Sequence, residues 1–382
     1  VRGAKMRKIL GCLLFLLIMT SQLIAGKVYY VDAKNGNDQN SGLSEATAWK
    51  TISKVNNSNF SPGDTILFKR GETWYEMLDV YWSGTDGNPI TFGAYGTGNR
   101  PIISGATAGN PTRPSREWCV VCYGEHHLRF ESLEFQYANG DGARTNGGSG
   151  RVYLHHVDFV DCVSHHNGIH GFKASADEET TKAQYVTYTN CLSYDNGFHG
   201  FQASDGSENI SYINCVAHDN ADSGIRFGET VVALVRNCVS YNNVYGVRME
   251  DWEDQILSNI TIEGCDIYSN SGVADSCGIY ALGPVGWVFD SIIIRYNKIH
   301  NNGGPGIDNQ QPLSNSKVYY NLIWGNTEGG ISWQPYESGG SSVIYNNAVA
   351  NNSSFGIEVG PGVGVTIKNN ILYQNGAQVY AD

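Results

Sequence analysis

The chain has 382 residues, of which 46 are Gly and 23 are Tyr, and only 16% are charged. This composition favours short strands separated by tight turns and argues against a mainly helical protein. The net charge of −12 argues against general binding to nucleic acid, which requires a basic surface. An acidic substrate is not excluded, because a local basic patch can oppose the net charge.

The N-terminus has the pattern of an export signal. Arg7 and Lys8 precede the apolar run 9–19, which is too short to span a bilayer. We expect cleavage near Ala25, so that residues 1–26 are a signal peptide and the product is secreted or periplasmic. The alternative is that this segment is a short membrane anchor. If it is cleaved as expected, the product has no stable membrane anchor.

Residues 27–125 are predicted to form an N-terminal cap and the first strands. The segments 28–31 and 65–68 have the β-branched and aromatic composition of short strands, and 44–55 is predicted to be a short helix with one apolar face. A solenoid needs its open end covered. This region is therefore predicted to cover the first turn of a repeat structure.

A six-residue segment that opens with Cys or Asn and closes with Asn recurs nine times in the rest of the chain. The opening residues are Cys162, Cys191, Cys215, Cys238, Cys265, Asn297, Asn321, Asn347 and Asn370. Successive openings are 23 to 32 residues apart, which is the period of one turn of a β-solenoid. Residues 126–382 are therefore predicted to form an all-β, right-handed parallel β-helix of about nine to ten turns.

The Asn and Cys positions of the repeat have expected structural roles. We expect each closing Asn to adopt the left-handed conformation of a tight turn, and stacked Asn side chains to form hydrogen bonds from turn to turn. The opening Cys residues are predicted to form an inward-facing ladder, as free buried thiols in preference to disulfides. Cys119 and Cys122 form a lone CxxC, for which buried thiols or a local disulfide are expected and a zinc site is not.

A strand that begins with Gly and an apolar residue follows the first eight repeats. Because side chains alternate along a strand, the next residue is predicted to point outward. From turn to turn this position holds Lys173, Gln202, Arg226, Arg248, Tyr280, Asp308, Ser332 and Glu358. Three cations on one strip of an acidic protein favour contact with an acidic polysaccharide, because turns about 4.8 Å apart can meet successive sugars.

The same strip is predicted to carry out chemistry on a uronate. Lys173, Arg226 and Arg248 are expected to meet carboxylates. The residues expected to contact hydroxyl groups and sugar rings are His170, His199, Gln202, Tyr245 and Trp252. Lys acts as a base when neighbouring cations or burial lower its pKa, and Lys173 is predicted to have such neighbours. A solvated face with no function is the alternative.

Two segments resemble family nine polysaccharide lyases, which are secreted pectate lyases with the pectin lyase fold and its PbH1 repeats. The first is Asn-Gly-Ile-His-Gly-Phe-Lys at 167–173, and the second is Asn-Cys-Leu-Ser-Tyr-Asp-Asn at 190–196, followed by Gly200 and Phe201. The specific resemblance covers about 35 residues around Lys173. It implies that Lys173 is the base that removes a proton during β-elimination on a polysaccharide such as pectate.

The chain departs from this family at the calcium site. The family binds calcium through several Asp one turn before the Lys, where this chain has Asn-Gly-Asp-Gly-Ala-Arg at 139–144. The resemblance implies calcium as a cofactor with Asp141 as a ligand, but Asp141 is the one match, and Arg144 stands where another ligand Asp is expected. Either Arg144 neutralises the substrate carboxylate in place of the metal ion, or the protein has lost lyase activity and only binds glycans.

Three other functions fit the same sequence features. A glycoside hydrolase needs two carboxyl groups about 5 to 10 Å apart, and its candidates are Asp205, Glu229, Glu250 and Asp251. A uronan epimerase shares the first half of the lyase reaction, and a carbohydrate-binding β-helix needs no reaction at all. In each case the expected partner is an acidic polysaccharide, and the protein is expected to be a monomer.

Overall fold

The fold is described from a computed structural model. The described residues are 26–148, 153–176, 182–251, 257–273, 276–284, 289–336, 339–361 and 363–381. The signal peptide falls almost wholly outside these ranges and stays a prediction, and Trp252, a predicted sugar contact, lies outside them as well. Among the described residues, none of the helices has the length and apolar character needed to cross a membrane.

The chain winds into a parallel β-solenoid in which each turn contributes a strand to each of three sheets. The first sheet contains Val28–Val31, Thr65–Lys69, Ile90–Tyr95, His126–Glu131, Leu154–Val160, Ala183–Thr189, Glu208–Ile213, Val231–Arg236, Ser258–Glu263, Phe289–Asp290 with Ile293–Arg295, Leu313–Tyr319, Gly339–Tyr345 and Val363–Lys368. The all-β, parallel β-helix prediction is confirmed.

The other two sheets have twelve strands each. The second contains Thr73–Trp74, Ile102–Ser104, Glu134–Gln136, Val163–His165, Leu192–Tyr194, Val216–His218, Val239–Tyr241, Asp266–Tyr268, Lys298–His300, Leu322–Trp324, Ala348–Ala350 and Ile371–Tyr373. The third contains Leu78–Val80, Val120–Tyr123, Ala143–Asn146, Phe172–Ser175, Phe201–Ala203, Ser223–Phe227, Tyr245–Glu250, Ile279–Leu282, Ile307–Asn309, Gly329–Trp333, Phe355–Val359 and Ala377–Ala381.

The helix predicted at 44–55 is divided into two shorter elements. A 3-10 helix, Glu45–Thr47, is followed by extended backbone and then by the α-helix Ile52–Asn56. The break arises because Trp49 forms a parallel bridge to the first strand. The α-helix is capped by the Thr51 hydroxyl, and its apolar residues Ile52 and Val55 are fully buried; that this segment covers the open end of the core stays a prediction.

Two turns of the solenoid precede residue 126, where the repeats were predicted to begin. Their strands belong to the same three sheets, and the second of these turns also carries the antiparallel pair Ala106–Thr107 and Asn110–Pro114. The repeat pattern does not reveal these turns because the Asn ladder starts later: the first ladder side chain to receive a hydrogen bond is Asn167, from the Ala138 amide.

The closing Asn residues form a buried ladder along the solenoid. In each step the backbone N–H and the side-chain amide donate to Oδ1 of the Asn one turn later; from Asn270 to Asn302 the distances are 3.1 and 3.0 Å. The ladder consists of Asn167, Asn196, Asn220, Asn243, Asn270, Asn302, Asn326, Asn352 and Asn375. The turn-to-turn bonding predicted for these residues is confirmed.

The left-handed conformation predicted for the closing Asn is wrong and belongs to the residue before it. Asn301, which precedes the ladder residue Asn302, has a φ of 55°, and Asn351 has a φ of 54°. The preceding residue makes the tight turn and faces solvent, which leaves the closing Asn free to point inward to its neighbours.

The opening Cys residues form a buried column of free thiols, as predicted. The CxxC cysteines are also free and buried. After Cys265 the same column continues as a second Asn ladder: the Cys265 amide donates to Oδ1 of Asn297 at 2.9 Å, and the following turns add Asn321, Asn347 and Asn370. The same core position is therefore filled by a thiol in the earlier turns and by an amide side chain in the later ones.

We expect the eight thiols from Cys119 to Cys277 to be inert to a disulfide-exchange reagent while the protein is folded. All eight are buried, which keeps a reagent from reaching the sulfur, and burial also raises the pKa of Cys119 to about 12, which disfavours the reactive thiolate there. A colorimetric thiol titration with Cys12 replaced by Ser checks this, with unfolded protein as the positive control. Rapid labelling of two or more thiols in the native protein would contradict the buried column.

Candidate functional site

The third sheet brings the predicted outward residues into register. Strand pairing places Lys173 between Arg144 and Gln202, and places Arg226 between Gln202 and Arg248. The same position continues through Tyr280, Asp308, Ser332 and Glu358. We call Arg144, Lys173, Gln202, Arg226 and Arg248 the cationic strip. Four cations thus occupy five consecutive turns of an acidic protein.

Neighbouring segments partly cover the cationic strip. The side chains of Lys173 and Arg226 are 15% and 16% exposed, well below the exposure of a freely solvated cation. Gln202, between them, is buried, and its Oε1 has no hydrogen-bond partner among the described residues. Burying a carbonyl oxygen without a hydrogen-bond donor costs free energy. The Gln202 Oε1 is therefore available to accept a hydrogen bond from a hydroxyl group of a ligand.

Lys173 forms an ion pair with Asp205. Its Nζ lies 3.6 Å from Oδ2 of Asp205, which is about half exposed. Asp205 has a left-handed backbone and accepts a 2.8 Å hydrogen bond from the Ser204 hydroxyl. The ion pair holds the amine over the sheet at a distance longer than that of a close salt bridge, so that the amine retains donor capacity for a ligand.

Both carboxylate oxygens of Asp141 are engaged within the protein. Oδ1 accepts a hydrogen bond from the His170 backbone amide, and Oδ2 accepts one from Nη1 of Arg144, each at 3.3 Å. Burial raises the pKa of Asp141, against the attraction of Arg144 and Lys173. A calcium ion takes six to eight oxygen ligands, and a guanidinium group beside Asp141 occupies the position of a ligand. These residues do not fit a calcium ion.

The two predicted histidine contacts lie within the wall of the solenoid. The rings of His170 and His199 stack with centroids 5.0 Å apart, and both are buried. The amides of His199 and Ser223 donate to Nδ1 of the histidine one turn earlier, each at 3.3 Å. Burial lowers the pKa of His199 to about 4 and that of His170 well below its usual value. Both rings are therefore neutral supports of the strip and not surface contacts.

Arg248 is committed to partners within the protein. Its Nη1 donates to both oxygens of Asp222 at 3.0 Å, and its Nη2 donates to Glu250 at 2.5 Å. Its guanidinium also lies 4.7 Å from the ring centroid of Tyr245, which is buried against Tyr280. The contacts to substrate predicted for Arg248 and Tyr245 therefore compete with an existing network of charges and rings.

Arg226 has looser partners. Its Nε lies 3.8 Å from Glu250, and its Nη2 donates to the Glu250 carbonyl at 3.4 Å. Its guanidinium lies over Gly228, where a Cβ would come within 2.8 Å of it. Of the two arginines on the later turns, Arg226 has the guanidinium better placed to meet a substrate carboxylate in the bidentate geometry that these groups favour.

Asp222 is the residue of this network that sequence reasoning missed. Its carboxylate accepts hydrogen bonds from the Arg248 guanidinium and from the Ser223 hydroxyl. Its Oδ1 also lies 3.4 Å from Nδ1 of His199. These contacts hold the pKa of Asp222 well below its usual value against the effect of burial. The sequence places Asp222 just before its strand, but it does not reveal the partner Arg248, which lies on the next turn, four residues beyond the position opposite Asp222.

A second, acidic part of the same column lies toward the C-terminal end. A cavity of about 230 Å³ opens on the third sheet. The residues that line it include Asp308, Glu328, Ser332, Tyr336, Phe355 and Glu358. The carboxylates proposed for a hydrolase lie elsewhere: Asp205 faces Lys173, Glu250 pairs with two arginines, and Asp251 is fully buried.

Two curated relatives match parts of the chain. Lacto-N-biosidase of Bifidobacterium longum is 37% identical over 87 residues, and the uncharacterized protein YwoF of Bacillus subtilis is 31% identical over 161 residues. The matches cover 21% and 40% of this chain but only 5% and 31% of those proteins. The chain therefore spans less than a third of the length of either relative.

A solved structure shows the same architecture over nearly the whole chain. Pectate lyase Pel9A superposes with a TM-score of 0.56 at 20% identity, covering 93% of this chain and 81% of that one. At this identity the likeness concerns the fold. The family described as "Right handed beta helix region" matches residues 118–286 and 258–382. These matches span most of the chain, and the protein belongs to the family of right-handed parallel β-helix proteins.

Proposed function

We propose that the protein is a polysaccharide lyase that cleaves an acidic, uronate-containing polysaccharide by β-elimination on the cationic strip. The observation that carries this proposal is the register of Arg144, Lys173 and Arg226 on one partly covered face. Turns about 4.8 Å apart let an extended chain of sugars meet one turn after another. The strip supplies positive charge where a protein of net charge −12 otherwise repels a polyanion.

The residues of the strip have separate roles in this reaction. Arg144 and Arg226 pair with uronate carboxylates, and the withdrawal of charge makes the proton on the adjacent carbon more acidic. The amine of Lys173 acts as the base that takes that proton, and the electron pair of the broken carbon–hydrogen bond forms the carbon–carbon double bond. The bond from the neighbouring carbon to the glycosidic oxygen then breaks, and the leaving oxygen takes a proton from water.

A screen across uronate polymers tests the class of reaction. Pectate, alginate and glycosaminoglycans are incubated with the protein, and both ultraviolet absorbance and reducing ends are followed. We expect one polymer to give an unsaturated, absorbing product, and we expect the rate to survive a chelator because the Asp141 site does not fit calcium. Reducing ends without absorbance would replace the lyase with a hydrolase, and binding without reaction would leave a carbohydrate-binding protein.

A glycoside hydrolase is the second candidate, and the acidic cavity is the observation that favours it. Asp308 and Glu358 lie two turns apart in the same column, a backbone separation of about 10 Å, near the range of paired catalytic carboxyl groups. Tyr336 and Phe355 provide aromatic surface for a sugar ring. The local similarity to lacto-N-biosidase supports the same class. In the screen, this function predicts activity that depends on Glu358 and not on Lys173.

A further inference from the structure

Four histidines from two adjacent turns meet on the outer side of the first sheet. His126 and His127 begin one strand, and His126 is in register with His155, which is followed by His156. Neighbouring side chains normally alternate between the two faces of a strand. At His127 and His156, however, φ is 53° and 55°, and this left-handed backbone conformation interrupts the alternation, so that both members of each pair lie outside the core.

The four rings form a compact two-by-two array. Along the solenoid, His126 stacks on His155 at 4.6 Å and His127 stacks on His156 at 4.9 Å. Across the pairs, the centroids are 5.2 Å apart in one turn and 5.0 Å in the next. Nitrogen atoms of His126, His127 and His155 all lie within 4.8 Å of one another, which brings three imidazole ligands within reach of one central ion after small side-chain rotations.

One buried ring nitrogen of the array has no hydrogen-bond partner among the described residues. It is Nδ1 of His126, which is inaccessible to solvent. A buried ring nitrogen without a partner costs free energy. The neutral imidazole ring is the form of a histidine that binds a metal ion.

We propose that His126, His127 and His155 form a binding site for a divalent transition-metal ion that prefers imidazole, of which Zn²⁺ is the representative, with His156 as the adjacent fourth ring. Three or four imidazoles suit Zn²⁺, Ni²⁺ and Cu²⁺, whereas Ca²⁺ prefers oxygen. The site lies on the first sheet and the cationic strip on the third. The metal ion therefore takes no part in the proposed elimination and joins two turns of the solenoid.

Calorimetric titration of the untagged, metal-free protein with Zn²⁺ tests this site. We expect one ion per chain, and we expect the double variant H126Q/H155Q to bind at least tenfold more weakly. The matched control is H218Q, because His218 is a single ring between Tyr194 and Tyr241 on the second sheet. Circular dichroism of each variant verifies its fold. Ca²⁺, titrated in the same way, is expected to give no binding at this site.

Cobalt provides a second readout that a general loss of stability would not imitate. Co²⁺ in a site with nitrogen ligands gives visible absorption bands, which should be present in the parent protein and in H218Q and absent from H126Q/H155Q. The proposal fails if the parent protein binds no Zn²⁺ at micromolar concentration. It also fails if Zn²⁺ binding survives in H126Q/H155Q and is lost instead in H166Q, because the other adjacent pair, His165 and His166, would then hold the ion.

Discussion

Replacing Lys173 by Ala should lower the turnover number of the elimination reaction by about a thousandfold, because a positioned general base contributes about 10² to 10⁴ in rate. Lys173 lies between Arg144 and Arg226 on the cationic strip, one turn from the first and two from the second, so its amine lies beside uronates whose carboxylates pair with these arginines. The measurement is the initial rate of ultraviolet absorbance on the polymer found active in the screen.

Two further variants separate the loss of a base from the loss of a positive charge. Lys173→Arg keeps the charge and removes the base, since a guanidinium group does not deprotonate in a protein, so the turnover number should fall while KM changes little. Lys182→Ala is the matched control: Lys182 pairs with Glu208 on the first sheet, away from the strip. Full activity of Lys173→Ala would show that another group removes the proton. A reaction in which Lys173→Ala is active and Glu358→Gln is inactive would place catalysis in the acidic cavity.

The sequence predicts the outward column because two short-range signals repeat. Each turn carries a Gly and an apolar residue in the third-sheet strand, and the period of the repeat fixes which turns are neighbours. Because side chains alternate between the two faces of a strand, the next residue points outward. This rule predicts that Lys173 and Arg226 lie on one strip. Both signals can be read from the sequence, and neither depends on which ion pairs or hydrogen bonds the long side chains form.

The partners of those side chains could not be predicted in the same way. Arg248 reaches Asp222 and Glu250, and several acidic residues of neighbouring turns were within reach of its flexible chain. The histidine array shows a second limit. The two His-His pairs are 29 residues apart in the sequence, a repeat spacing, but alternation predicts opposite faces for the members of each pair. The left-handed backbone conformation of His127 and His156 places both members of each pair on the outer side.

Replacing Asn270 by Ala should lower the free energy of unfolding by about 3 to 5 kcal/mol, because each buried polar group left without a partner costs about 1 to 3 kcal/mol. Asn270 is fully buried in the middle of the Asn ladder. Its Oδ1 accepts the amide and the side chain of Asn243, and its Nδ2 donates to Oδ1 of Asn302 and to the Ser240 carbonyl. Denaturant unfolding followed by circular dichroism measures the loss.

The control for this variant is an asparagine that turns the chain without joining the ladder. Asn351 is exposed and has a φ of 54°, a conformation that Gly adopts freely, so Asn351→Gly should change the free energy of unfolding by no more than about 0.5 kcal/mol. Asn375→Ala should fall between the two, because Asn375 is 8% exposed, more than the other ladder residues. Since a solenoid is stabilised by contacts between adjacent turns, a break at Asn270 interrupts both directions of the stack. Equal effects of Asn270→Ala and Asn351→Gly would mean that the ladder contributes no net stability.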